Sequence, residues 1–520
     1  MMVMKRVLYN TCAIDPWINV AKKLKNQNGW EPVYWVEYTF DNAYYYAKKD
    51  PYVAVKAEFP NVVYHNNIDA WHGVFPEEVE KNYCNYYPDV DTVLANTMHE
   101  VEALTMMNRL DYDRYSFNFM EREFHYYNLF KHWLCVLDKF KPDIVISGNN
   151  PHRVYDYVLY IICKQRNIPF IMFQYYIVPG RIFATNDIYS MNGKFRKDVD
   201  EILSKGKVSY DEIAEDIRES YENTKKSYAD GQLWYMTQNL KDDKKGANWF
   251  HLAYNYFHRT AKQHGEKVRR SAQTIYKNKK YTLENTHYFL PEFAKMRLEA
   301  FSYNKKLRKL YESLSENPVP GEKYILFPLH YQPEETTSPC GGFFVNQWLC
   351  IETLLANTPN DWYVYVKEHP HQYLSHFQGC TSRIPDLYRN LKKNPRIRLM
   401  PFNMDSKVLI KDAIAVSTIT GTVGWEALVM EKPVVIFGTI WFEDCIGTLK
   451  VKDSKTAHQI YEHIAKFHYS EENIIAFLQS ISKNTIKAYH YMGYKELSHL
   501  DEESSAVNIV KEINRLVSNE

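Results

Sequence analysis

Glycine-rich phosphate loops, long apolar runs and net charge are all missing from this 520-residue chain. Its first apolar run ends in Tyr9-Asn10-Thr11-Cys12-Ala13-Ile14-Asp15, without one glycine. No GxGxxG loop follows a first strand and no Walker A sequence occurs, which argues against dinucleotide oxidoreductases and P-loop enzymes. No apolar run approaches the roughly 20 residues that span a bilayer. The start "MMVMKRVLYNTCAI" has neither the apolar stretch nor the cleavage site of a signal peptide. A cytoplasmic protein is expected, with peripheral attachment to the inner face of the membrane left open. The net charge of +1 predicts no nucleic-acid partner, and any basic patch must be local. Eight cysteines are scattered without a CxxC pair, so reduced thiols are expected and no cofactor or metal is called for.

What the chain does have is tyrosine, 43 residues within an aromatic content of 15%. Tyrosine suits half-buried surfaces, sugar platforms and membrane interfaces; a biased coding composition accounts for the excess equally well. Short apolar runs alternate with helical patterns in two regions. In the first, 6–11, 32–38, 62–65, 143–148 and 170–176 read as strands, with a long helix from Tyr115 to Phe140 and a crossover helix over 155–167. In the second, 324–331, 362–370, 397–402, 413–421 and 433–438 read as strands, with helices at 346–358 and 423–432. Continuous apolar strands joined by helices imply parallel sheets built from right-handed βαβ units. The expected fold class is α/β, two Rossmann-like domains of GT-B type with a helical, basic and aromatic middle segment. The expected boundaries are 1–195 for an acceptor-side domain, 196–315 for a helical linker region, 316–480 for a nucleotide-sugar-binding domain and 481–520 for a helical tail. Ligands of such sheets bind outside the carboxyl ends of the strands, and a cleft between the two domains is expected there.

The strongest motif is "STITGTVGWEALVMEKPVVIFG" (417–438), a strand running into a hydroxyl- and glycine-rich loop and then a helix. Thr420, Gly421, Thr422 and Gly424 fall about where the helix begins, so free N–H groups and the helix dipole favour an anion. Gly421 and Gly424 would let a phosphate approach the backbone, Ser417, Thr418 and Thr422 would add hydroxyls, and Glu426 would accept from ribose. Plain N-capping by Thr420 or Thr422 accounts for one of these hydroxyls. Its companion is "VYVKEHPHQ" (364–372), where an apolar strand ends in Lys367, Glu368, His369 and Pro370. Lys367 and His369 would both face phosphates; capping of nearby backbone is the alternative for the histidine. The His369-X-His371 pair lacks a third ligand at a zinc-like spacing. A third stretch, "FPLHYQPEETTSPCGG" (327–342), offers His330, Gln332, Glu334, Glu335 and Thr336 in a loop closed by Gly341 and Gly342. In the first domain "SGNNPHRVYDY" (147–157) places Asn149, Asn150, His152 and Arg153 after a strand, with His152 the best-placed general base. Gly180 and Arg181 end the next strand, where the guanidinium would pair with a sugar carboxylate.

In order and spacing, "YILFPLHYQPEETTSP", "YVKEHP" and "STITGTVGWEALVMEKPVVIFG" resemble bacterial capsule and surface polysaccharide biosynthesis proteins. That family includes GT-B-like transferases using CMP-Kdo. The close resemblance covers about 322–445 and a looser one 141–187; 196–315 has no counterpart. It implies donor phosphate and ribose contacts for His369, Ser417, Thr418, Thr422 and Glu426. The family's acidic catalytic motif has no clear counterpart in the first domain.

The expected function is transfer of a sugar from a nucleotide-activated donor, with CMP-linked ulosonic acids such as Kdo among the candidates, to a surface polysaccharide or glycolipid acceptor. His369, His152 and Glu334 are the expected catalytic groups; Lys367, His369, Ser417, Thr418, Gly421, Thr422 and Glu426 the donor-binding ones. A CDP-dependent polyol-phosphate transferase and a non-catalytic scaffold of an assembly complex are the alternatives. Residues 248–281 set eight Lys and Arg among clustered aromatics against the single acid Glu266. That composition fits either an anionic membrane surface or a solvated helix.

Overall fold

The computed structural model describes residues 4–12, 14–37, 50–109, 117–226, 290–334, 336–374, 379–490, 494–495 and 498–518. The basic aromatic stretch 248–281 and Glu335 lie outside the described residues. The described chain divides into two units, one drawn from residues up to 188 and from 483 onward, the other from residues 189–482.

The first unit holds β1 (Arg6–Asn10), β2 (Glu31–Glu37), β3 (Val63–Asn66), β4 (Ile144–Ser147), β5 (Phe170–Tyr175) and β6 (Arg181–Thr185). Strands β3-β2-β1-β4-β5 are parallel neighbours in that order, the Rossmann order with its reversal between β1 and β4. Val7, Tyr9, Ile144 and Ile146 are fully buried with Trp17, Val20 and Leu24 of the helix Ile14–Asn28. Both faces of these strands are covered, which is why the sequence shows continuous apolar runs rather than alternation. Antiparallel β6 extends the sheet beyond β5.

The second unit holds β7 (Lys323–Pro328), β8 (Trp362–Lys367), β9 (Ile397–Leu399), β10 (Ala415–Thr418), β11 (Val434–Ile436) and β12 (Thr448–Lys450), parallel throughout in the order β9-β8-β7-β10-β11-β12. This is again the Rossmann order, with its reversal between β7 and β10. Strand β13 (Ile486–Lys487) comes from the stretch read as a C-terminal tail; it pairs antiparallel with β6, and the helix Glu502–Ser518 that follows packs Ile509 and Ile513 into the first unit's core. Two Rossmann-like sheets are therefore present, as the alternation of runs implied. Strands β6, β12 and β13 were not separately legible. They are short, and their burial comes from neighbours distant in sequence.

Candidate functional site

In register, Lys367 ends β8 opposite Pro328 at the end of β7. On the other side of β7, Val416 of β10 pairs with Leu326, so Thr418 stands about level with Pro328. Lys367, the 329–342 loop and the 418–424 loop thus emerge together at the point where strand order reverses. Such a point is where a ligand of an open parallel sheet is held.

Adjacent charges of the Lys367-Glu368 pair have opposite fates. Glu368 is 1% exposed. Its carboxylate accepts from Arg383 Nε at 3.0 Å and Nη2 at 3.3 Å, from the Tyr388 hydroxyl, and from its neighbour's backbone, His369 N, at 2.8 Å. It is fully committed inside the protein. Lys367 is 4% exposed, yet no hydrogen bond or ion pair reaches its ammonium among the described residues. Burial pulls its pKa from 10.5 down to about 8, against the opposing pull of Glu368 and Asp405.

His369 is partly exposed. Its Nδ1 accepts the backbone N–H of His371 at 3.1 Å, so the proton of the neutral ring sits on Nε2, which donates to no group among the described residues. Burial, then the nearby His371, His330, Lys367 and Arg383, hold its pKa well below the usual value. His369 is therefore a neutral Nε2–H donor beside a buried cation. His371 enters through its main chain.

The 417–424 loop differs in detail from its sequence reading. His330 Nε2 lies 3.0 Å from Thr418 Oγ1 and accepts from the N–H groups of Ile419 (3.2 Å) and Thr420 (3.3 Å). Thr418 Oγ1 also accepts from Gly421 N at 3.1 Å. Three loop N–H groups and the Thr418 hydroxyl are thus spent within the loop. Those of Thr422 and Val423, at the start of the seven-residue helix Val423–Val429, donate to nothing else among the described residues. Ser417 is fully buried on β10 and its Oγ has no partner. A Cβ on Gly421 would meet Thr418 Oγ1 at 2.7 Å and His330 Cε1 at 3.2 Å, so this glycine admits the histidine. On Gly424 a Cβ would meet the Phe442 ring at 2.6 Å. That position is needed to seat the helix on the core, not to admit a phosphate as the sequence implied.

Glu426 is half-buried and its Oε2 has no partner. Burial pushes the carboxyl up to about 7, with Lys407 opposing and Asp405 reinforcing. Glu334 Oε2 lies 3.4 Å from His330 Nδ1, which aligns it with the His330 hub. The loop around it is tied down: Gln332 N donates to Gln372 Oε1 at 3.1 Å and Gln332 Nε2 to Thr337 Oγ1 at 2.6 Å.

In the first unit, His152 is 9% exposed. Its Nδ1 donates to Asn150 O at 2.7 Å, leaving Nε2 as the basic nitrogen, the tautomer a general base needs. Asp156, fully buried and pushed up to about 7 by burial, accepts from the backbone of His152 and Arg153 and shapes this turn. Arg181 donates to Thr485 Oγ1 at 3.0 Å and is buried, so it holds β13 rather than awaiting a sugar carboxylate. Among the described residues no group of three or more His, Cys, Asp or Glu is placed to hold a metal ion, and no helix is long and apolar enough to cross a membrane. Sequence reasoning missed Arg383, Tyr388 and Gln347, which lie outside the quoted motifs, and gave no role to Gln372 at the end of 364–372.

Two Rossmann-like units, one with a largely buried lysine at the end of a strand beside its strand reversal, define an α/β protein of two parallel sheets. Within it, residues 266–480 match the family model described as capsule polysaccharide biosynthesis protein, the family the motifs resemble. No curated protein matches the chain. Among solved structures it is similar to a KpsC beta Kdo 2,7 transferase of Thermosulfurimonas dismutans, at 11% identity over 77% of this chain and 97% of that one, TM-score 0.29. A KpsC beta Kdo 2,4 transferase of the same organism aligns at 8% identity over 67% and 82%, TM-score 0.26. The UDP-GlcNAc 2-epimerase of Methanocaldococcus jannaschii aligns at 12% identity over 99% of both chains, TM-score 0.23. Scores this low carry no weight beside the strand order, on which the fold assignment rests.

Proposed function

We propose that the second unit binds the phosphate of a nucleotide-activated sugar and that the protein is a glycosyltransferase of surface polysaccharide assembly. One observation carries this reading: Lys367, a largely buried residue, has an ammonium that no hydrogen bond or ion pair reaches among the described residues, with only the longer-range pull of Glu368 and Asp405 upon it, next to a histidine that can only donate from Nε2. A buried cation without a partner is costly, and a phosphate would relieve it while satisfying His369 and the N–H groups of Thr422 and Val423. Glu426, with its orphan carboxyl oxygen, would take a ribose hydroxyl. The family-model match of residues 266–480 supports the polysaccharide context. A sugar linked through a single phosphate is the donor proposed, CMP-linked ulosonic acids being one such class, because one available cation matches the single negative charge of a phosphodiester.

In the transfer step an acceptor hydroxyl attacks the anomeric carbon, and the bond from that carbon to the phosphate oxygen breaks with its electron pair leaving on the phosphate. Lys367 and His369 stabilise that developing charge. The acceptor's proton passes to a base, for which Glu334, paired with His330, is the candidate within this unit. His152, in the first unit, has the tautomer of a base. Thermal shift against CMP, CDP, UDP, GDP and ADP tests the reading. One nucleotide should stabilise the wild type and fail to stabilise His369→Ala. Stabilisation by none of them, or equal stabilisation of both proteins, would refute it and favour a scaffold role.

A further inference from the structure

Beyond the groups that would face the ligand, one buried arrangement joins all three strand ends. Arg383 Nη2 donates to His330 O at 2.6 Å, while Nε and Nη2 hold the Glu368 carboxylate at 3.0 and 3.3 Å. Glu368 Oε1 in turn accepts from His369 N at 2.8 Å. On the far side, His330 Nε2 accepts from Ile419 N and Thr420 N. The carboxyl ends of β8, β7 and β10 are therefore laced in that order by one continuous set of bonds. Neighbouring groups fix the brace itself. The Tyr388 hydroxyl donates to Glu368, the Tyr311 hydroxyl accepts from Glu368 N at 3.0 Å, and the Gln347 amide clasps His330 N and O at 2.7 and 3.2 Å. Arg383 and Glu368 are 4% and 1% exposed, so water does not compete with the pair.

We propose that the Arg383–Glu368 pair is the positioning element of this site, setting the His330 and His369 arms relative to each other so that Lys367 and the His369 Nε2–H converge on one phosphate. This rests on the donor-site reading above. A planar fork suits the task, since it can grip a carboxylate with one edge and a carbonyl with another. The pair also sorts charge across the site. Its carboxylate opposes the loss of the proton from Lys367, and its guanidinium is among the groups that keep His369 neutral.

A buried ion pair can be purely structural, so the test removes both charges together, which leaves no orphan and is often tolerated. Glu368→Gln/Arg383→Met would be compared with wild type and with Lys367→Met by calorimetric titration with CMP and with UDP from pH 6 to 9.5. If the pair positions the site, the double variant keeps a cooperative melt but binds the nucleotide at least about tenfold more weakly. The alkaline limb of its residual binding also moves below that of wild type, because Lys367 has lost the carboxylate that upheld its charge. Arg383→Lys keeps the charge but not the fork to His330 O, and should weaken binding while leaving the alkaline limb in place. Should the double variant not fold, Arg383→Lys alone decides. Wild-type affinity and pH limb in the folded variants would overturn this inference while leaving the donor site standing. Absence of binding by wild type to either nucleotide would overturn the donor reading, and this inference with it.

Discussion

Replacing Lys367 with Met separates stability from binding in opposite directions. Holding this ammonium in a buried place without a partner lowers its pKa from 10.5 to about 8. At about 1.4 kcal/mol per tenfold in proton affinity, that costs the ligand-free fold about 3 kcal/mol near neutral pH. The sign follows from proton counting. Below pH 8 both folded and unfolded states are protonated and the full cost is present. Between 8 and 10.5 the unfolded state holds more protons than the folded one, so the stability of wild type rises relative to the variant. Lys367→Met, similar in length and apolar, should therefore melt higher than wild type at pH 7, by up to about 3 kcal/mol less any packing loss. For a unit of this size each kcal/mol corresponds to about 2–4 °C. Its advantage should shrink to about 1 kcal/mol by pH 9.5. The same variant should lose the nucleotide-induced shift, since truncating one partner of a buried charge pair costs about 2–5 kcal/mol of binding. Scanning fluorimetry with and without nucleotide at pH 7 and 9.5 reads all of this. A Lys367→Met protein that melts lower than wild type when free of ligand, or that keeps the shift, would refute the reasoning.

Glu426→Gln should raise the ligand-free melting temperature at pH 8 and change little at pH 5. Its folded pKa of about 7 lies above the ordinary 4.5, so wild type loses stability as pH rises from 4.5 to 7; a pH series of melts shows whether the gain follows that window. Glu426→Ala should also erase any preference for a ribonucleotide over its 2′-deoxy form, measured as a ratio of dissociation constants. His330→Ala strands the N–H groups of Ile419 and Thr420, each worth about 1–3 kcal/mol when buried and unmet, so denaturant unfolding should show a loss of at least about 2 kcal/mol even without ligand. Gly424→Ala presses a methyl against Phe442 and should destabilise by about 1–3 kcal/mol. Its ligand-induced shift should survive, because the glycine serves packing; loss of the shift with unchanged stability would restore the phosphate-approach reading.

Much of the scaffold was legible because it is written in local patterns. "RVLYN", "WYVYVK" and "AVST" are strands in the structure, and the helix after β10 begins about where its glycine-hydroxyl loop implied. Continuous apolar runs need no partner's identity to announce a strand buried on both faces. The two stretches, 364–372 and 417–426, leave the carboxyl ends of β8 and β10, which flank β7 in one sheet. The roles of single residues within them were less legible. Thr418 and Gly421 look like ligand groups in sequence, yet they serve His330, which lies about ninety residues earlier in the chain. Gly424 looks like a phosphate contact and meets Phe442. Arg383, without any motif around it, is bonded to His330 O and, through Glu368, to His369 N.

By itself, the sequence determined that this is a doubly repeated α/β protein with a polar, basic strand end and a glycine-hydroxyl loop fifty residues on. The resemblance to capsule-biosynthesis proteins rests on the same motifs, and residues 266–480 match that family's model. Tertiary structure decided which of two adjacent charges is spent and which is waiting. Lys367 ends β8 and Glu368 is the first residue beyond it, yet the two side chains meet different neighbours. Arg383, Tyr388 and a backbone N–H await one of them, and nothing among the described residues awaits the other. Apolar periodicity is a property of neighbours in the chain, whereas the availability of a charge depends on which distant groups the fold brings to it.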